Sequence, residues 1–241
     1  MMGLRFPERS SRTLVVLSVV LGIVMAGCGD DPTISGSGTA VTGSPPSGYA
    51  EPVETVTALL AALADEQWEE AARLTVKGQM ALMALAEGAD LETVSDYLRF
   101  GEIGVGVNFW AGFVQVSDQF PAGAVDGLTL ITEQRYEAGG VSFADFGVVS
   151  PSSPEGRVFE ITAAQGEDEL WRVDVIATFV DVLALRLSET AEITRATRTE
   201  DAAVVSAELM RHVPSLEAVL IDPDLTPELR QAVVSALAAI Q

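Results

Sequence analysis

The chain has 241 residues, 48% of them hydrophobic, and its 35 acidic and 14 basic side chains give a net charge of −21. This charge excludes nucleic acid as a partner, because nucleic-acid binding depends on cationic side chains that neutralise phosphates. A single histidine, His212, excludes His-Glu-x-x-His metal motifs and Ser–His–Asp triads, and the only lysine, Lys77, completes no Ser-x-x-Lys motif. We therefore expect no metal and no cofactor, and we assign no catalytic residue.

The N-terminus has the pattern of an export signal. Arg5, Arg9 and Arg12 form a positive segment, and residues 13–27 carry no charge. This stretch is short for a membrane span, which needs about 20 apolar residues, but it suits the apolar part of a signal peptide. An ordinary secretory signal and an uncleaved anchor helix are the alternatives to the interpretation that follows.

The end of the apolar stretch resembles the lipobox of bacterial lipoproteins. Its residues are Val24, Met25, Ala26, Gly27 and Cys28, with Met25 where leucine is commoner. The resemblance implies that residues 1–27 are a signal peptide, removed after a diacylglyceryl group joins the Cys28 thiol. Acylation of the new amino group completes an anchor of several chains, which binds membranes stably. We expect a protein anchored on the extracytoplasmic face of the bacterial cell membrane.

The predicted mature chain begins with a tether. Residues 28–50 comprise the lipidated Cys28 and a segment rich in glycine, serine, threonine and proline. A flexible chain of this composition has a root-mean-square reach of about 25 Å. The tether would therefore hold a folded domain away from the membrane surface.

Helical patterns follow the tether. Apolar residues recur at three- and four-residue steps over 51–75, with Pro52 suited to a first turn. Short helices are predicted over 79–87 and from Asp90 to Phe100, each preceded by a glycine nearby. The glycine-rich, aromatic segment 101–120 fits either a helix or an irregular wall.

The next region has the pattern of an antiparallel sheet. Strands are predicted over 128–136, 141–149, 157–164 and 169–179, with a turn at Gly139-Gly140 and a loop at Pro151 and Pro154. In the last strand Trp171, Val173, Val175, Ala177 and Phe179 alternate with mostly polar residues. Such alternation predicts a sheet with one buried face.

The chain ends in predicted helices over 180–196, 199–213 and 227–240. Pro214 ends the second, and Thr226 is the expected N-cap of the third. The fold class is therefore α+β, with N-terminal helices packed on a curved antiparallel sheet of about four strands and additional C-terminal helices.

This order of elements over 51–179, closing in the strand Trp171-Arg172-Val173-Asp174, resembles the nuclear transport factor 2-like superfamily. The resemblance implies a cone of helices on a curved sheet with a pocket between them, and residues 180–241 would be a helical extension. That superfamily contains isomerases and cyclases as well as non-catalytic modules, so the fold alone does not decide the function.

Asp145 is the candidate pocket acid. Period-two counting places it on the strand face of Val141 and Phe143, which we expect to face the core. A carboxyl group in apolar surroundings has a raised pKa and can act as a general acid or base. Tyr136, Tyr97 and Trp171 complete the candidate pocket.

Three functions are consistent with these patterns. The first is a non-catalytic binding module for a small apolar ligand or an envelope protein, attached to the membrane through Cys28. The second is an isomerase- or cyclase-type enzyme that uses Asp145 with a tyrosine. The third is a docking protein that acts through helices 180–240.

Other polar groups have structural interpretations. His212 is expected at a helix end, where it is structural or solvated. Asp222 and Asp224 are expected in a turn before a helix cap, because the calcium-loop pattern fails at Pro227 and Val233. The cluster Glu167, Asp168 and Glu169 fits a solvated hairpin turn, with a weak calcium site as its alternative.

Overall fold

A computed structural model describes residues 47–116, 127–149 and 158–241. The lipobox, the tether up to residue 46 and the predicted loop with Pro151 and Pro154 lie outside these residues. In the described part, ten helices and a four-stranded antiparallel sheet form an α+β fold with C-terminal helices, which confirms the predicted fold class.

Five helices precede the sheet: α1 Pro52–Ala64, α2 Trp68–Arg73, α3 Gln79–Ala86, α4 Leu91–Phe100 and α5 Ile103–Val116. Pro52 lies in the first turn of α1, as expected. The helical pattern over 51–75 is broken at Glu66, whose φ of 55° is left-handed. Asp90 caps α4, since its side chain accepts a hydrogen bond from the Thr93 amide at 2.9 Å. Of the segment 101–120, for which the sequence fits two structures, residues 103–116 are helical, and residues 117–120 lie outside the described residues.

The strands are β1 Thr129–Ala138, β2 Val141–Val149, β3 Val158–Gln165 and β4 Trp171–Val173, paired in that order. Gly139 and Gly140 form the β1–β2 turn with φ values of 55° and 79°. Two positive φ values define the type I′ turn, whose twist matches that of a hairpin. This confirms the predicted turn.

The predicted strand over 169–179 is wrong beyond Val173. The chain turns at Asp174 into a short helix, α6 Val175–Thr178, and the Asp174 side chain accepts a hydrogen bond from the Ala177 amide at 2.8 Å. Val175, Ile176 and Ala177 are all buried, so the apolar run does not mark one sheet face. The N-cap therefore overrides an apparent period of two.

Helices cover both faces of the sheet, which corrects the prediction of one buried face. Ala144, Phe146 and Val148 of β2 pack into the main core, whereas Phe143 packs into a smaller cluster on the opposite face. Ala218 of helix α9 Val213–Val219 belongs to that smaller cluster. Asp145 shares the face of Phe143, so it lies on the side of the sheet away from the main core.

The C-terminal helices are α7 Val180–Ala196, α8 Glu200–Arg211, α9 and α10 Pro227–Ile240. Thr226 caps α10, accepting from the Leu229 amide at 3.2 Å, as predicted. One buried cluster joins these helices to the N-terminal helices and the sheet, with members such as Val56, Leu183 and Val233. No helix within the described ranges is long and apolar enough to cross a membrane.

Candidate functional site

Asp145 lies at the centre of a small polar group on the second face of the sheet. Its Oδ1 accepts hydrogen bonds from the Tyr136 hydroxyl at 3.1 Å and from the Thr162 hydroxyl at 2.7 Å. Three neighbouring strands position the three side chains, since Gln134 pairs with Asp145 and Asp145 pairs with Thr162. The predicted association of Asp145 with a tyrosine is therefore present in the structure.

Burial dominates the electrostatics of this group. It raises the pKa of the Asp145 carboxyl, and the negative charges of Glu160 and Asp222 add to that effect, while the bonds from Thr162 and Tyr136 oppose it. Burial, together with the charge of Asp145, also raises the pKa of the Tyr136 phenol. Such a carboxyl can hold a proton near neutral pH more readily than an ordinary aspartate can.

The other two candidate pocket residues lie elsewhere. Trp171 is buried on the main-core face of the sheet, opposite to the face of Tyr136 and Asp145. Tyr97 lies on α4, which packs against α3 and α8, and its ring contacts the main core. The four residues do not meet in one pocket, because strand alternation and helix packing direct them to different sides.

An open groove of about 440 Å³ runs between the start of α1 and the β1–β2 hairpin. Arg135 lies beside it, with its guanidinium carbon 5.9 Å from the centroid of the Trp171 ring. The groove is lined by Ala50, Glu51, Arg135, Tyr136, Glu137, Ser142, Phe143, Gln165 and Trp171. It reaches Tyr136 and Trp171 of the predicted pocket, but Asp145 does not line it.

A second polar group is buried where the N- and C-terminal parts of the chain meet. Asp174 is 1% exposed and accepts from Gln79 Nε2 at 3.0 Å and from the Ser215 hydroxyl at 2.7 Å. Gln79 Oε1 accepts from the Val175 amide at 2.6 Å, at the start of α6. Two side chains thus cap one short helix, and Ser215 ties α9 to it.

His212 extends this buried network at the junction of α8 and α9. Its Nε2 lies 3.0 Å from Glu208 Oε1, and its Nδ1 lies 3.4 Å from Gln79 Nε2. Burial alone raises the pKa of Glu208, but His212 and the Arg211 guanidinium outweigh it and bring that pKa below its ordinary value. The prediction of a structural histidine at a helix end agrees with this placement.

The network lacks the geometry of a nucleophilic triad. The Ser215 hydroxyl donates to Asp174, and the His212 ring is paired with Glu208. A triad requires the histidine to accept the serine proton while a carboxylate orients the ring. The arrangement therefore acts as a buried tie between helices.

Aromatic side chains that could have lined a pocket pack on one another. The rings of Phe109, Trp110, Phe113 and Phe179 contact each other with centroid separations of 4.9–6.2 Å. Trp110 is almost fully buried, and Trp68 packs against the same core. These rings fill space between α5 and the start of α7.

The acids of the predicted turns form local bonds. Asp168 pairs with Arg172 at 2.6 Å, and that hydrogen bond lowers the pKa of Asp168 to about 2. Asp222 accepts from the Asp224 amide at 2.9 Å, as in a turn. Among the described residues, no group of three histidine, cysteine, aspartate or glutamate side chains is placed to hold a metal ion.

Comparisons with protein-family models, with curated proteins and with solved structures found no match to this chain.

Proposed function

We propose that this chain is a bacterial lipoprotein, anchored through Cys28 on the extracytoplasmic face of the membrane, whose folded part is a non-catalytic binding module. One observation carries the proposal: Cys28 directly follows an uncharged stretch and a lipobox-like Val24-Met25-Ala26-Gly27. The remaining chain contains no other cysteine, so the only thiol is the one that the lipid would use.

The start of the folded part is compatible with a tethered domain. Tyr49 and Trp171 exchange main-chain hydrogen bonds of 3.3 and 2.7 Å, and Ser47 contacts Arg172. A tether arriving from the membrane would therefore join the domain beside β4. The helices that precede the four-stranded antiparallel sheet support a relation to the nuclear transport factor 2-like superfamily, with α7–α10 as an addition.

The groove beside Arg135 is better suited to an envelope protein than to a small apolar ligand. The aromatic rings around Trp110 fill the space between α5 and α7, and the groove beside Arg135 is open and edged by charged side chains. Apolar ligands bind in concave sites that enclose most of their surface. An open, charged surface is better suited to a polar protein segment.

The enzyme alternative depends on the hydrogen bond between Tyr136 and Asp145. It requires a substrate to reach a carboxyl group whose Oδ1 already accepts two hydrogen bonds and which does not line the groove. Turnover that is lost in Asp145→Asn and kept in Asp181→Asn would favour the enzyme over the binding module.

The lipid anchor is tested with two variants expressed in a bacterium that processes lipoproteins. Cys28→Ala should leave the signal peptide uncleaved or release the protein from the membrane fraction. Met25→Leu, which keeps Cys28 and brings the lipobox closer to the common pattern, should be processed and retained. Mass spectrometry of the mature N-terminal peptide should show the diacylglyceryl and acyl groups on Cys28. Normal cleavage and retention of Cys28→Ala would refute the proposal.

A further inference from the structure

The two edges of the sheet differ in how their main-chain groups are used. Beyond β4, Trp171 is paired with Tyr49, while Val173 donates to the Leu74 carbonyl at 2.8 Å and accepts from the Val76 amide at 2.9 Å. That edge is closed by two segments of the chain itself. At the other edge, β1 pairs with β2 on one side, and no main-chain partner is found on its outer side among the described residues.

The hairpin geometry shows which groups the β1 edge offers. Ala138 and Val141 flank the two-residue turn, and such flanking residues exchange the first hydrogen bonds of the ladder. Inward and outward groups alternate along an antiparallel strand. Glu133, Arg135 and Glu137 therefore direct their amide and carbonyl groups away from β2.

Only part of the outer edge of β1 is regular, and it is exposed. A bulge between Leu130 and Thr132 disturbs the ladder near the start of β1, and the bulged residue Ile131 is 53% exposed. From residue 133 to the turn the strand is regular. This regular part is long enough for three outward-facing residues to pair with an added strand.

The side chains along this edge are predominantly acidic. Glu133 and Glu137 lie on one face of β1 with Arg135 between them, and all three are exposed. The Arg135 guanidinium is held by Glu133 on its own strand and by Glu51 at 2.9 Å, and it lies over the Trp171 ring. With Glu51 included, three carboxylates surround one cation that is already engaged.

We propose that the outer edge of β1, from residue 133 to 138, is a docking site for an extended, basic segment of a partner protein, which joins the sheet as an additional strand. Main-chain hydrogen bonds would provide much of the affinity, and lysine or arginine at alternate positions would meet Glu133 and Glu137. The net charge of −21 favours the approach of such a segment. The inference rests on the proposed function and specifies its partner.

A second copy of this chain is the competing occupant. Antiparallel pairing about Gln134 would place Glu133 opposite Arg135 of the other copy. Two chains of charge −21 would then be brought together, and each Arg135 is already engaged by its own Glu51. The charge distribution therefore favours a basic partner over self-association.

The test uses the mature lipidated chain in neutral detergent and a synthetic peptide as long as β1 that alternates lysine with valine. The same peptide with glutamate in place of lysine is the charge control. We expect the lysine peptide to bind more tightly, with an affinity that decreases as salt increases. Equal binding of both peptides, or no binding of the lysine peptide, would refute the proposal.

Two double variants in β1 and one control double variant elsewhere locate the interaction. E133P/E137P removes two outward amide donors and both carboxylates while leaving the β1–β2 ladder intact, and loss of the two main-chain hydrogen bonds alone should weaken peptide binding about thirtyfold. E133R/E137R keeps the edge and should reverse the preference towards the glutamate peptide, which preserves the test if the proline variant does not fold. E167R/E192R makes the same charge change at exposed sites elsewhere and should retain most of the binding.

Three results would overturn the assignment. The first is unchanged peptide binding in E133P/E137P, and the second is a loss of binding in E167R/E192R as large as the loss in E133P/E137P. The third is a dimer in analytical ultracentrifugation that E133R/E137R dissociates, which would identify a second copy as the occupant. Failure of the lipoprotein proposal is recognised separately. Normal cleavage and membrane retention of Cys28→Ala would refute the lipid anchor, and that result would not depend on whether the chain binds the peptide.

Discussion

The buried carboxylate of Asp174 should contribute far more to stability than an ordinary helix cap does. Asp174→Ala removes the acceptor of the Ser215 hydroxyl, of Gln79 Nε2 and of the Ala177 amide at once. A lost cap costs about 1 kcal/mol, and each buried donor left without an acceptor costs about 1–3 kcal/mol. With one cap and two buried donors lost, we therefore expect the free energy of unfolding to decrease by about 3–7 kcal/mol, a large part of the typical 5–15 kcal/mol.

The matched control is Asp90→Ala. Asp90 caps α4 through the same type of bond, to the Thr93 amide at 2.9 Å, but it is exposed and stands outside the network. It should lose only about 1 kcal/mol. Urea unfolding of both variants in the Cys28→Ala background, followed by circular dichroism and tryptophan fluorescence, measures the difference. Equal losses in the two variants would refute the reasoning. Asp174→Asn, which keeps one acceptor oxygen, replaces the alanine variant if that variant does not fold.

Three further predictions concern a glycine, the acid of the second sheet face and the C-terminal helices. Gly78→Ala should destabilise the fold more than Gly88→Ala. Both glycines have φ near 90°, but only at residue 78 would an added Cβ collide with Glu208 Oε1. Equal losses of the free energy of unfolding in urea would contradict this. The pKa of the Asp145 carboxyl is raised in the folded state, so the folded chain becomes less stable as the pH rises above the unfolded pKa of about 4. Asp145→Asn, which cannot ionise, should therefore be more stable than the unchanged chain at pH 7. That gain should disappear below pH 4, and a gain that persists there would contradict the assignment. Deleting residues 180–241 should unfold the rest of the chain, since both parts share one buried core. A cooperative thermal transition of the truncated chain would instead favour a separable docking arm.

Local patterns predicted most elements because their signals lie within a few residues. The caps at Asp90 and Thr226, the proline at residue 52 and the glycine pair at 139–140 each act on the adjacent turn of the chain. They were therefore recognisable without knowledge of the tertiary fold.

The faces of the sheet were less predictable. Period two correctly groups Phe143 with Asp145, but it does not say which face meets the larger core. The deciding feature is α9, which covers the second face and lies about 70 residues further along the chain. A strand buried on both sides carries no polar alternation, so the error about Asp145 follows from the fold.

The network around Asp174 illustrates why the most informative polar site was missed. Gln79 and Asp174 are 95 residues apart in sequence, and Gln79 and Ser215 are 136 apart. Taken singly, each residue has an ordinary local interpretation as part of a helix, a cap or a turn. A buried glutamine or aspartate is stable only when its partners are present, so each needs the others for its burial. The relevant signal was the apolar surroundings of Gln79 and Asp174: Gln79 precedes the run Met80-Ala81-Leu82, and Asp174 precedes Val175-Ile176-Ala177. A polar residue that begins a continuous apolar run is a candidate for a buried tie, and here the structure joins two of them at one helix terminus.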